Sequence, residues 1–239
     1  TAFNQDISNW NTSNVTDMRR MFSLAASFNQ NIGKWNISKV SLMGIMFDNA
    51  TALSSANKGE IHKTFSTNSN WPYPSWAAYA VYTPITDANF QTVVNLWFSD
   101  EANATATYGH IRDWNTSAVT DMTRAFNGRT NFDENITGWD VRNVTGMSEM
   151  FKNANAFNQP IGDWNVSSVI DMNNMFTSSG SLIFNQPLGD WDVSSVTNMR
   201  GMFSMATYFN QPIGDWNVSS VTDMSFMFSD NDHGIQFNQ

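Results

Sequence analysis

Apolar residues recur along this chain at steps of two and three, and the whole pattern recurs with tryptophan as its marker. Trp10, Trp35, Trp114, Trp139, Trp164, Trp191 and Trp216 share one frame, with steps of 25 residues (10 to 35), one step of 27 (164 to 191) and one long interruption (35 to 114). With tryptophan as position zero, position −3 is Ile7, Ile32, Ile111, Ile136, Ile161, Leu188 and Ile213, and position +2 is Thr12, Ile37, Thr116, Val141, Val166, Val193 and Val218. Further on, Val221, Met224, Met227 and Phe228 typify apolar positions spaced three, three and one. A fixed period of this size implies stacked repeats, each burying its apolar face against its neighbours.

The segment I-x-x-W-x-V has the spacing of the strand in leucine-rich repeats, and the Val-Met-Met-Phe run has that of a short helical stripe. Ser220-x-x-Asp223 and Ser168-x-x-Asp171 read as capping boxes with Asp in place of Glu. The predicted fold is therefore α/β: a leucine-rich-repeat-like solenoid of strand, turn and short helix with a parallel sheet on one face. The methionines, all in the repeats, fall on the helical stripe except Met205, and they read as core rather than as a soft-metal surface. The tryptophans also read as core, because a ring at one fixed position in every coil can stack along the axis of the repeats.

Residues alternating with the core would line the exposed sheet face. Position −1 supplies Asp113, Asp163, Asp190 and Asp215, and position +1 supplies Asn165, Asp192 and Asn217. These seven are the candidate binding residues, because carboxylate and amide ladders about 4.8 Å apart can hydrogen-bond sugars, hold calcium or receive a basic partner. A second motif, Phe-Asn-Gln at Phe3, Phe28, Phe157, Phe184, Phe209 and Phe237, with Phe132-Asp133-Glu134 as a divergent copy, reads as structural: Phe enters the core and Asn caps turn amides.

Two stretches break the repeat. Phe90, Val93, Val94, Trp97 and Phe98 predict an amphipathic helix over 87–98. A stack of repeats needs its ends capped, so residues 1–82 read as a first array with a C-terminal cap and 83–239 as a second array with an N-terminal helical cap. The aromatic group Trp71, Tyr73, Trp76, Tyr79 and Tyr82 reads as cap packing rather than a sugar platform. Ser229-Asp230-Asn231-Asp232-His233-Gly234 lacks the later acidic ligand of a calcium loop and reads as a polar surface loop.

Net charge is −9 with 14% charged residues, which argues against nucleic acid. No cysteine is present, removing disulfide and thiolate chemistry, and no apolar run in this portion is long enough to span a bilayer. His62, His110 and His233 sit in unrelated settings, so neither a metal cluster nor an acid/base triad is expected, and the chain reads as no enzyme and needing no cofactor. Sequons for N-glycosylation begin at Asn11, Asn14, Asn36, Asn49, Asn103, Asn115, Asn135, Asn143, Asn165 and Asn217. The chain opens and closes inside repeats, and it reads as part of a longer or processed protein.

The phrase Phe209-Asn210-Gln211-Pro212-Ile213-Gly214-Asp215-Trp216-Asn217-Val218-Ser219-Ser220-Val221-Thr222-Asp223-Met224 resembles the repeat of about 26 residues called DUF285, grouped with BspA-like bacterial surface proteins and also found in algal and protist surface proteins. The interrupted segment is similar to that group through Trp71-Pro72-Tyr73 and Val94-Asn95-Leu96-Trp97-Phe98. The resemblance implies surface display and adhesion and brings no catalytic residues. The expected function is a non-catalytic extracellular or cell-surface module for protein–protein contacts, part of a larger or filamentous assembly with other surface proteins or further copies of itself. The alternative is a carbohydrate- or calcium-binding module that uses the polar ladders.

Overall fold

The computed structural model describes residues 3–180 and 182–229, so the Asp230–Gly234 stretch of the expected polar loop and the Phe237 triplet lie outside the described residues. The chain divides into two compact units, Thr1–Thr83 with Asp100–His110, and Pro84–Ser99 with Ile111–Gln239. The first holds the coils 3–27 and 28–53, helix α1 (Ser55–Phe65), a 3-10 helix at Pro74–Tyr79 and helix α3 (Glu101–Tyr108). The second holds helix α2 (Phe90–Ser99) and the coils 111–131, 132–156, 157–183, 184–208 and 209–229.

The repeats are stacked, but the expected α/β solenoid with a parallel sheet does not form. Among the described residues there is no strand and no sheet, only isolated parallel bridges: Asp17 to Leu42 in the first unit, and Asp121, Gly146, Asp171, Asn198 and Asp223 in succession in the second. The reason lies in where the backbone hydrogen bonds go. In the expected strand the tryptophan N–H donates back to the carbonyl at −3 (Trp139 to Ile136, 3.1 Å) and the valine at +5 donates to +2 (Val144 to Val141, 2.9 Å). Two successive turns therefore replace I-x-x-W-x-V as a strand.

The expected short helix is replaced as well. N–H groups at +8, +10, +12 and +14 donate to the next coil, as in Met122 to Gly146, Arg124 to Ser148, Phe126 to Met150 and Gly128 to Lys152 (2.8 to 2.9 Å). The odd positions between them close four-residue turns, as in Ala125 to Met122 and Asn127 to Arg124. Every second amide is thus taken by a neighbouring coil, and an i→i+4 ladder cannot propagate. This alternation needs left-handed residues at +10 and +14: Arg20, Ile45, Arg124, Glu149, Asn174 and Phe226 at the first, Leu24, Asn49, Asn153 and Met205 at the second, with Gly201 and Gly128 in the two series. The left-handed region is costly for a β-branched side chain. Ile45, at φ 51° and largely exposed, should therefore be improvable: Ile45→Asn is expected to raise stability by about 1 kcal/mol in urea unfolding.

Side chains stack in the same register as the backbone. Phe126, Phe151, Phe176 and Phe203 form a column with ring centroids 5.5 to 5.6 Å apart, and Phe132, Phe157 and Phe184 form a second at 5.7 to 5.9 Å. Each ring of one column also stacks on the other, as Phe126 does on Phe132 at 3.9 Å. The indole N–H groups of Trp35, Trp139, Trp191 and Trp216 donate to the −3 carbonyl of the preceding coil at 2.8 to 3.1 Å. That bond explains an indole where an aliphatic residue would fill the space, because a buried N–H requires an acceptor. Trp164 alone among the described residues has a buried polar side-chain atom without a partner.

The Phe-Asn-Gln triplets tie coil to coil. Asn158 donates its N–H to Asp133 Oδ1 at 2.9 Å, and Gln159 Nε2 reaches the Asp133 carbonyl and Oδ1 at 2.9 Å; Asn185 N–H and Gln186 Nε2 both donate to Asn158 Oδ1 at 3.0 Å. Only acceptor atoms of the lower residue are used, so Asp133 substitutes for Asn without loss. Where a coil lacks a coiled neighbour, the cap imitates one. In the first unit Ser54 N–H and Asn57 Nδ2 bond Asn29 as Asn and Gln would, and the Tyr73 hydroxyl accepts the Phe47 N–H at 2.8 Å. In the second, Asp87 accepts the Thr120 N–H at 2.7 Å and its hydroxyl at 2.6 Å, taking the place of the carbonyl that Thr120 itself offers to Thr145.

The helices close the units with apolar faces. Ser54 caps α1 through Asn57 N–H, and α1 buries Ile61, His62 and Phe65. Asp100 caps α3 through Asn103 N–H, and Gly109, at φ 87°, ends it. Helix α2 buries Phe90, Val93, Val94 and Trp97, with Trp97 edge-on to Trp114 at 6.0 Å and Phe90 to Trp139 at 5.9 Å.

Candidate functional site

Asp113, Asp163, Asn165, Asp190, Asp192, Asp215 and Asn217 are all exposed, in columns that recur from coil to coil. They line no sheet, since their segments are paired turns. The +1 residues share one geometry. Asn36, Asn115 and Asn165 each accept, through Oδ1, both the N–H and the hydroxyl of the serine two residues on (2.7 Å from each hydroxyl). Asn217 accepts the Ser219 N–H at 3.2 Å and Asp192 the Ser194 N–H at 3.1 Å. Hydrogen bonds from the Ser194 side chain and backbone hold the Asp192 carboxyl below its usual range. In these Asx-turns the acceptor oxygen of an exposed side chain is committed locally. At −1, Asp113 lies 3.5 Å from Arg112.

The ten sequon asparagines are all exposed, yet their amides differ. Asn135 repeats the Asx-turn through Thr137, accepting its hydroxyl at 2.7 Å. Asn143 and Asn49 instead spend Nδ2, on the Ser117 carbonyl at 2.9 Å and on Asp48 at 3.1 Å. Asn14 accepts from Lys39 and Asn103 from Thr107. The Ser-x-x-Asp phrases form no helix caps; Asp223 Oδ1 takes the Ser225 N–H and hydroxyl in another Asx-turn.

Three features went unread in the sequence. One is Glu149, a left-handed residue whose carboxylate gathers Arg124 Nε at 2.8 Å, Asn127 Nδ2 at 3.0 Å and Lys152 Nζ at 3.1 Å, tying coil 111–131 to coil 132–156. Nothing in the local sequence marks it, because Arg124 stands a whole repeat away. Burial raises the Glu149 pKa, but the hydrogen bonds and charges of Arg124 and Lys152 outweigh burial and leave it below its usual value. A carboxyl lowered in the folded state contributes stability that is complete above its unfolded value, about 4.3, and is lost as pH falls through the folded value. Glu149→Gln is therefore expected to flatten the fall in stability between about pH 5 and 3, measured by urea unfolding across that range.

The second is a groove of about 380 Å³ in the first unit between Trp35, Asn36, Thr64, Thr67, Asn68 and Ala102. Asn68 Nδ2 is already engaged there, donating to the Ile37 and Val40 carbonyls and capping coil 28–53. The third is an exposed apolar face on coil 3–27, where Trp10 and Met21 stand open although their equivalents in the following coil, Trp35 and Met46, are buried.

No helix is long and apolar enough to cross a membrane among the described residues, and no three His, Cys, Asp or Glu there converge on a common point. No curated protein and no solved structure matches the chain. The model of the family described as "Mycoplasma protein of unknown function, DUF285" matches residues 1–71, 92–183 and 178–239, together nearly the whole chain, and this protein belongs to the DUF285 family.

Proposed function

We propose that the chain is a non-catalytic extracellular structural or adhesive module that makes protein–protein contacts within a larger surface or filamentous assembly. The observation that carries this reading is repetition: the same Asx-turn, with the same exposed amide, stands at Asn36, Asn115 and Asn165. Equivalent groups that recur along the repeats favour multivalent engagement, in which weak contacts add through effective concentration. The likeness of the repeat phrase to BspA-like surface proteins supports the same reading. Where the host attaches N-glycans, Asn36, Asn115, Asn135 and Asn165 are the acceptors we favour, while a glycan on Asn143 would break its bond to Ser117. Antibodies against the chain should label intact, unpermeabilised source cells; labelling that appears only after permeabilisation would refute a surface role.

The second reading, a carbohydrate- or calcium-binding module, draws support from the exposed carboxylates Asp163, Asp190 and Asp215 at one position of three successive coils. A ligand that binds only the folded chain stabilises it by about 2.7 kcal/mol at a hundredfold excess over Kd. Under this reading, millimolar calcium or a glycan mixture raises the melting temperature by several degrees, whereas a module built for protein contacts shows no shift.

A further inference from the structure

We infer that His62 is a latch that holds the cap of the first unit only while its imidazole is neutral, so that mild acid loosens that cap. His62 stands in the last turn of α1 and is 7% exposed, and its Nδ1 accepts the Trp71 indole N–H at 3.1 Å. An imidazolium carries a proton on both nitrogens and keeps no lone pair with which to accept, so this bond exists only in the neutral form. Burial opposes the charged form as well.

Trp71 is where the cap converges. Its ring stands edge-on to Phe47, Phe65, Tyr73 and Trp76, with centroids 5.3 to 6.3 Å apart. Tyr73 in turn accepts the Phe47 N–H at 2.8 Å, whereas the equivalent amide of an inner coil, that of Phe126, goes to the carbonyl of the next coil. Loss of the indole bond therefore reaches the edge of coil 28–53 through two contacts, Trp71 against Tyr73 and Tyr73 on Phe47. The latch frees a backbone donor that the cap otherwise holds.

The charged groups on the elements packed against α1 pull both ways. On α1 itself Glu60 pairs with Lys63 at 2.8 Å, Lys63 also lies over the Tyr82 ring, and Lys58 lies over Trp76 and Tyr79. Residues 66–79, which supply Trp71 and the 3-10 helix, carry no charged side chain, and their titratable groups are the phenols Tyr73 and Tyr79, a class that stays neutral in acid. Helix α3 brings Glu101 in its exposed first turn and Tyr108, with Asp100 as its cap and His110 beyond its end. Coil 28–53 brings Lys34, Lys39 and Asp48. The carbonyl end of α1 favours a cation at His62, but burial displaces the titration of an imidazole further than a helix end does. A group that stays neutral when folded and takes up a proton when unfolded contributes stability that is complete above its unfolded value, about 6.5, and is lost as pH falls below it.

Urea unfolding of the 239-residue chain, followed by tryptophan fluorescence at about pH 7.5 and about pH 5.5, tests this beside His62→Asn, whose amide oxygen can accept the indole N–H without titrating. Between those two values the folding equilibrium constant of the first unit should fall about tenfold further in the wild type than in the variant. His110, His233 and the carboxylates titrate in both proteins, so the difference isolates His62. Parallel falls in the two proteins overturn the inference, as does a wild type whose stability holds or rises toward the acid end. Should His62→Asn unfold early at neutral pH, the indole N–H resonance of Trp71 in the wild type, identified by its loss in Trp71→Phe, reads the bond itself. It should shift with the uptake of one proton as the solution is acidified, and a resonance that does not move overturns the latch.

Discussion

Phe176→Ala is expected to destabilise the second unit by about 4 kcal/mol, the range for removing a fully buried aromatic side chain. Phe176 stacks on Phe151 at 5.5 Å, on Phe203 at 5.6 Å and on Phe184 at 4.3 Å, so one deletion removes contacts in two columns at once. The cavity cannot close by local collapse, because the coils on either side are fixed by backbone bonds from Phe151 to Met175 and from Phe176 to Met202. Equilibrium urea unfolding followed by tryptophan fluorescence measures the loss. Phe176→Leu, which keeps most of the volume, should lose far less, and a loss under about 1 kcal/mol for the alanine variant would show that the coils do close over the cavity.

Gly59→Ala is expected to destabilise the first unit, against the usual rule for helices. Within α1 an alanine ordinarily gains about 1 kcal/mol over glycine. At Gly59 the added methyl would run into the backbone of the 3-10 helix, meeting the carbonyl oxygen of Tyr79, its carbonyl carbon at 2.7 Å and the Ala80 nitrogen at 3.1 Å. Backbone atoms held by the Ala80 to Ala77 hydrogen bond cannot rotate away as a side chain would. Overpacking of this kind costs about 1 to 3 kcal/mol, and the sum should fall on the destabilising side by about 1 to 2 kcal/mol. Thermal unfolding reads the sign directly: a rise in melting temperature would mean that the 3-10 helix gives way.

The exposed candidate columns were legible because position in the repeat separates core from surface: what alternates with Ile136, Trp139 and Val141 must face outward. Their chemistry was not legible. The serine two residues after Asn115 or Asn165 looks like part of a sequon, and only the folded turn shows that its hydroxyl occupies the asparagine oxygen. Glu149 and Asp87 were invisible for a related reason: each meets partners 22 to 34 residues away, and no local pattern marks an acid that replaces a missing coil or joins two.

The sequence by itself determined the period, the residues that form the core columns and the stacking of coil on coil, because a side chain repeated every 25 residues can be buried only by its own equivalents (Phe126 under Phe151). The backbone path was decided by the tertiary structure alone. Apolar steps of two and three suit a strand, a helix or a chain of turns equally well, and local propensity favours neither a left-handed Ile45 nor a left-handed Phe226. What selects the turns is the neighbouring coil, which takes every second amide from +8 to +14 and leaves the amides between them to close turns; that competition for hydrogen bonds exists only once the coils are stacked.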